Sequence, residues 1–424
     1  MPGRPSGPGA GTNQDAIRRH NLGTVIRHLH RDGALSRAEL TARMQLNRST
    51  IAGLVGELEA LGAVRQEEPR GVRAGAGRPS LLVHPCTERF VALAAQVRVE
   101  DVTVVRVGIG GAVLDRRTAA LPPTRRPDRV ARTVARVVTE TVAAAGPDAA
   151  LVGLGISIPG TVGRQDGIVR SAPNLGWTDI PFAGILGARL AEVIPRCPAP
   201  VLGNDADLGA QAEHSLGVSA AIDDLVYLSG DVGVGGGLVA GGVPLTGAAG
   251  FAGEIGHLRL GPGGRLCRCG GRGCWETEVG AFAVAEAVGC AAEASSALPM
   301  LLGALTSPPP ALIGIGHRLG EGLGLVVTML NPRRIILGGL LADVYPVVRD
   351  ACDESMRASS LLAAQDQVEL ALPALGRDSV LLGAAERAFE GLFADPVGVV
   401  DEDQRRAGRA GGAGATRRAG SRTG

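Results

Sequence analysis

After a Gly/Pro-rich opening, the chain begins with apolar residues at helical spacing. In "QDAIRRHNLGTVIRHLHRDG", Ile17, Leu22, Ile26 and Leu29 fall on one face between polar and basic positions, and Gly33 supplies a stop. A second helix is predicted at "LSRAELTARM", where Ser36 followed by Glu39 has the form of a capping box. A third, "LNRSTIAGLVGELEALG", takes Asn47 as N-cap and Gly62 as terminator. The stretch after it, "AVRQEEPRGVRAGAGRPSLLVHP", reads as strand, glycine-rich turn, strand.

From Phe90 the period changes. Short β-branched runs ("DVTVVRVGI", "ALVGLGISI", "APVLGND", "DDLVYLSG", "RRIILGG") alternate with helical stretches such as "DRVARTVARVVTETVAAAG", "AGILGARLAEVI" and "GHRLGEGLGLVVTMLN". That alternation predicts an α/β region, with several strands ending in glycine-rich loops where such sheets place ligands. The last stretch, from about Val397, is low in apolar residues and is expected to be disordered, as are residues 1–12.

Composition changes this picture little. A hydrophobic fraction of 45% in 424 residues supports more than one sizeable core. The formal net charge of +1 hides an uneven distribution, because residues 1–85 hold twelve Arg against seven acids. Lysine is absent altogether, which points to codon bias and weakens any argument from arginine enrichment alone. The N-terminus lacks the apolar core of a signal peptide, and no apolar run reaches about 18 residues, so a cytoplasmic protein without a membrane span is expected.

Three short helices, two of them joined by the tight "MQLN" connection, and then a two-stranded wing predict a winged helix-turn-helix. In such a module the third helix enters the major groove, so Arg48, Ser49 and Thr50 would face bases and Arg37 a phosphate. Arg70, Arg73 and Arg78 stud the wing, and Arg78 could reach a minor groove. The same pattern also suits a small helical domain with solvated arginines; element order, connection lengths and the basic wing favour DNA.

Three stretches of the α/β part carry candidate chemistry. "LSGDVGVGGGLVAGG" is either a phosphate cradle or a tight hairpin turn, and it lacks both the P-loop lysine and the dinucleotide spacing. "VLGND" ends a strand in Asn204 and Asp205, the latter either a base facing a crevice or a helix-cap residue. His257, Cys267, Cys269 and Cys274 form H-x9-C-x-C-x4-C, three thiolates and an imidazole that suit tetrahedral zinc in a closed structural site. The other four cysteines are scattered singly, which does not look like a disulfide framework. Glu254 and Glu276 bracket the loop and are free to face a ligand beside it.

These residues, in this order, resemble the ROK family of repressors, open reading frames and sugar kinases over about residues 14–395. The loop has the family form GEIGH…C-x-C-G…GC-x-E at every ligand position. The resemblance implies a winged helix-turn-helix over 13–85 and, over 88–395, a two-lobed actin-like α/β domain whose lobes meet near 204. It places sugar contacts at Asn204, Asp205, Glu254, His257 and Glu276, with Gly160 beside the sugar, and a homodimer or dimer of dimers on operator DNA. Asp205 matches the catalytic base of the kinases. One departure matters: the kinases' Asp-x-Gly-Gly loop for ATP phosphates is missing from "FVALAAQVRVEDVTVVRV", Asp101 lies too far along to replace it, and Asp231 and Val232 stand where kinases place Gly and Thr. The expectation is a zinc-containing repressor modulated by a sugar effector, not an enzyme; the alternative is an active ATP-dependent sugar kinase with an attached DNA-binding domain.

Overall fold

The computed structural model describes residues 14–68, 80–146, 149–163, 166–195, 197–217, 222–261, 263–291 and 297–402. Arg70, Arg73 and Arg78, and the stretches 1–12 and 403–424 expected to be disordered, lie outside the described residues.

The N-terminal helices are α1 (Gln14–Asp32), α2 (Arg37–Met44) and α3 (Arg48–Ala60). Ser36 Oγ accepts from Glu39 N, and the Glu39 carboxylate accepts from Ser36 N, which closes the capping box on α2. Asn47 Oδ1 accepts from Thr50 N at 2.7 Å and starts α3. Strands β1 (Leu35–Ser36), β2 (Val64–Glu67) and β3 (Leu82–Pro85) pair antiparallel in the order β1-β3-β2. The buried face of α1 runs Leu22, Val25, Ile26, Leu29. Ile17, placed on that face by its spacing, is 46% exposed, because the packed part of α1 begins only at Leu22.

Next come β4 (Phe90–Val97), β5 (Asp101–Gly108), β6 (Val113–Ala120), α4 (Pro127–Ala143) and β7 (Ala150–Ile158). A small antiparallel sheet of β8 (Thr161–Val162), β9 (Val169–Ala172) and β10 (Trp177–Ile180) precedes α5 (Phe182–Val193) and β11 (Pro200–Asn204). The five-stranded sheet has the order β11-β7-β4-β5-β6. Its central strand β4 is buried on both faces, as its apolar run demands, while the edge strand β6 alternates.

The chain then runs through α6 (Asp205–Ser215), β12 (Leu225–Gly230), β13 (Val234–Ala240), β14 (Val243–Pro244), α7 (Trp275–Val279), α8 (Ala281–Ala287), α9 (Leu298–Gly303) and α10 (Pro310–Leu330). It ends with β15 (Arg334–Gly339), α11 (Leu340–Ser359), α12 (Leu362–Gln365), β16 (Glu369–Ala371) and α13 (Ser379–Ala394). The second five-stranded sheet has the order β14-β13-β12-β15-β16. In each large sheet an antiparallel meander of three strands is extended on its first strand by two parallel ones, so one topology occurs twice.

Helix α13 returns from the second sheet to pack on β7 and β4 of the first, and α1 and α6 flank it. The disorder expected from Val397 does not begin there. Residues 396–402 are helical, Val400 is buried, and Val397 and Val399 pack on the same core. These three valines were masked in the sequence by the polar stretch that follows them.

Candidate functional site

Strands β7 and β11 are parallel neighbours, with Asn204 opposite Ile158, so both end at the same edge of the sheet. Asn204 caps α6 by accepting from Ala206 N and Asp207 N, and its side-chain amide donates to the Gly160 carbonyl at 2.9 Å. A side chain at Gly160 would collide with the Ser171 carbonyl, 2.3 Å from the Cβ position. Asp205 follows as the first residue of α6, with its carboxylate at the same crevice.

The glycine run forms a hairpin. Strands β12 and β13 pair antiparallel through a turn at Asp231–Gly233, where Asp231 N donates to Gly233 O. Its glycines serve packing on both faces. A Cβ on Gly237 would lie 2.1 Å from the Ala206 carbonyl, and Gly236 N donates to Gly253 O on the opposite side. The hairpin thus brings the start of α6 and the Glu254–His257 turn to one place.

The cysteine loop is held by its own backbone. Cys267 N donates to Gly271 O, Trp275 N donates to Leu258 O, and Arg259 pairs with Cys274. The ligand atoms of His257, Cys267, Cys269 and Cys274 lie within 4.8 Å of one another, so the cluster could hold a metal ion. His257 Nδ1 is 3.7 Å from Cys267 Sγ, and Cys269 Sγ is 3.6 Å from Cys274 Sγ. His257 Nε2 turns the other way, 3.6 Å from the Glu254 carboxylate. Glu276 reaches both sides of the loop: it accepts from Cys267 Sγ at 2.8 Å and lies 3.5 Å from His257 Nδ1. Burial, and then the Glu276 hydrogen bond, hold the Cys267 thiol well above its ordinary range, whereas the Gly271 N–H pulls Cys269 down.

Gly160, Asn204, Asp205, Glu254, His257 and Glu276 all line one cavity of about 530 Å³. Asn174 and Arg268 also line it and were missed in the sequence. Arg268, set between two cysteines, donates to Asn174 Oδ1 across the cavity at 2.5 Å. A second cavity, of about 600 Å³, adjoins the first at Asp205, Asp231, Asn174 and Arg268. Its β4–β5 turn presents Arg98 and Asp101, paired with each other at 2.9 Å.

Burial raises the Asp205 carboxyl to about 7, against the hydrogen bond from Ala206 N, and the charges of Asp231, Asp207 and Glu254 add to the rise. Asp205 therefore binds its proton more tightly in the folded chain than in the unfolded one. Its contribution to stability falls as pH rises from about 4 to about 7, and above that the folded state carries the full cost of an ionised, crowded carboxylate. Asp205→Asn is expected to raise the melting temperature at pH 8 and to change it much less at pH 5. Equal shifts at the two pH values, measured by differential scanning fluorimetry, would contradict this.

In the N-terminal helices, Arg48 and Ser49 are exposed at the first turn of α3, and Thr50 is half-buried. Ser49 Oγ donates to Asn47 Oδ1. Arg37 opens α2, with its backbone N–H bound to the Leu81 carbonyl. No helix among the described residues is long and apolar enough to cross a membrane.

Comparison with known proteins is consistent with this geometry. A family model described as "ROK family" matches residues 98–389. The xylose repressor of Bacillus subtilis (strain 168) is 25% identical over 384 residues, covering 88% of this chain and 95% of that protein. A glucokinase of Halalkalibacterium halodurans is 30% identical over 252 residues, covering 55% of this chain and 74% of that protein. The crystal structure of a ROK family transcriptional regulator, a homologue of the Escherichia coli MLC protein, superposes with a TM-score of 0.69 at 23% identity, covering 92% of this chain and 99% of that one.

Proposed function

We propose that this chain, which belongs to the ROK family, is a DNA-binding transcription regulator of repressor type whose operator affinity is set by a sugar. The observation that carries the reading is the reach of the two kinds of relative. The xylose repressor aligns over 88% of the chain, too much for the α/β part alone, whereas the glucokinase aligns over 55%. The residues ahead of the α/β part are the three helices and three short strands, which serve as a winged helix-turn-helix with α3 as the recognition helix. Arg48 and Ser49 stand exposed where base contacts are made in such modules. Arg48→Ala is expected to weaken binding to the preferred operator by about 1–3 kcal/mol and to relax sequence preference, with sugar affinity unchanged. An operator titration beside calorimetry with sugar checks both halves.

The cavity beside the cysteine loop is the sugar site. Asn204, Asp205, Glu254 and Glu276 offer acceptors to ring hydroxyls, and His257 presents Nε2 from a ring whose Nδ1 faces the thiols. Zinc fits the four-residue cluster: a tetrahedral ion with metal–sulfur bonds of about 2.3 Å sets its sulfurs roughly 3.8 Å apart, close to the 3.6 Å between Cys269 Sγ and Cys274 Sγ. When bound, such an ion favours the thiolate form of its ligands. The protein's part is to hold His257 so that one ring nitrogen is fixed and the other is left for the sugar.

The kinase alternative meets an obstacle in the second cavity. Phosphoryl transfer rests on positive or dipolar groups arranged around the phosphates. Here the β4–β5 turn, where the kinases' phosphate loop is expected, offers an Arg98–Asp101 pair already neutralised, with Glu100 and Asp231 beside it, so the positive and dipolar groups of the cavity are left to Arg125, Arg268, Arg377 and the start of α11. Sugar-dependent ADP release should stay at background for every sugar that binds. Turnover near one per second, at the low end of ordinary enzymes, would reinstate the kinase. The regulator acts in the cytoplasm, and as a dimer it would meet a pseudo-palindromic operator with half-sites about one helical turn apart or a multiple of it.

A further inference from the structure

His30 of α1 is 3% exposed, although histidine is a residue of only intermediate burial in general. Its Nδ1 accepts from Gly110 N at 3.0 Å, so Nε2 carries the hydrogen and donates to Glu386 of α13 at 2.5 Å. Glu386 is itself 7% exposed, and the rings of Phe389 and Phe393 lie 5.2 and 5.1 Å from the imidazole. One side chain of the DNA-binding unit is thus pinned to both the C-terminal helix and the β5–β6 turn of the sugar-binding part.

The same helix α13 is locked to the element that starts the sugar cavity. Glu213 of α6, 1% exposed, accepts from Ser379 Oγ at 2.7 Å and from Leu375 N at 3.0 Å. Backbone fits backbone along the rest of the path. A Cβ on Gly383 would lie 1.9 Å from the Leu208 carbonyl of α6, and a Cβ on Gly23 of α1 would lie 1.9 Å from the Phe393 carbonyl. With no side chains between them at these points, the three helices approach backbone to backbone.

We infer that the His30–Glu386 pair is the contact that carries sugar occupancy from α6, through α13, to the DNA-binding helices. The inference rests on the reading of the chain as a sugar-responsive regulator. A sugar drawing on Asn204 and Asp205 acts on the first residues of α6, and α6 meets α13 through the Glu213–Ser379 bond and the Gly383–Leu208 contact. The pair binds neither sugar nor DNA; both residues are positioning residues. Losing it should therefore leave both affinities in place and remove the link between them, since coupling is a free energy separate from either binding step.

The test uses the full chain, a duplex that the wild-type protein selects from a random pool, and whichever of D-xylose, D-glucose and N-acetyl-D-glucosamine most raises its melting temperature. In the wild type the sugar is expected to change operator Kd by about tenfold or more. His30→Phe combined with Glu386→Leu replaces both partners by apolar groups, which spares stability better than leaving one unpaired. In that variant operator Kd and sugar Kd should stay within about threefold of wild type, while the sugar response falls below about twofold. Glu386→Gln keeps an acceptor oxygen for His30 and should keep the response. A double variant that binds both ligands and responds like wild type overturns the inference alone; a wild type that responds to no sugar overturns the regulator reading and this inference with it. If the double variant does not fold, hydrogen exchange of the wild type decides. Sugar must alter protection of the 22–32 segment and of α13, and unchanged protection in both overturns the proposal.

Discussion

Glu254→Ala combined with Glu276→Ala is expected to give a repressor that still holds its operator but no longer hears the sugar. Both carboxylates line the cavity, and neither lies in the N-terminal helices. Hydrogen bonds to charged groups contribute about 1.5–3 kcal/mol each, so losing two should weaken sugar binding by roughly a hundredfold or more. Because Glu276 also touches Cys267 and His257, metal content must be measured in the same preparation. With metal retained, calorimetry should show the sugar affinity gone while operator Kd stays near wild type. A double variant that still responds to sugar like the wild type would show that the cavity is not the effector site.

Cys269→Ser is expected to empty the metal cluster. Purified wild-type protein should carry about one zinc per chain, and a serine hydroxyl is a poor substitute for the fourth ligand. Cys269 is exposed, so the change opens no hole in the core, and any loss of stability reports on the metal. Sugar binding should weaken as well, by about tenfold or more, because His257 loses the ion that fixes its ring. Inductively coupled plasma mass spectrometry and calorimetry check the two halves. Metal-free protein with undiminished sugar affinity would separate the cluster from the sugar site.

Much of this was legible in the sequence where the signal is local. The Ser36–Glu39 capping box, the Asn47 cap and the five β-branched runs that become β5, β7, β11, β12 and β15 need only neighbours a few residues away, and they form as their spacing predicts. The cysteine cluster is likewise local apart from His257. What the sequence concealed depends on distant partners. His30 reads as one more polar residue on a basic helix, yet its partner lies 356 positions away. The triple glycine of β13 reads equally as phosphate cradle or hairpin turn, and the α6 and Gly253 backbones that press on its two faces are not visible in the local sequence. Ile17 had the right spacing but sits a turn beyond the packed part of α1, and Arg268 gave no sign that it would span the cavity to Asn174.

Operator binding and sugar binding meet in one chain, and one titration tests their link. The wild-type full chain is titrated onto its selected operator duplex by fluorescence anisotropy, at fixed salt because phosphate contacts are salt-dependent. The titration is repeated with saturating D-xylose, D-glucose or N-acetyl-D-glucosamine. Sequence-specific binding is expected, with a Kd that shifts by about tenfold or more with at least one of the sugars. Operator affinity that is the same with and without every sugar shown to bind, or no sequence-specific DNA binding at all, would contradict it.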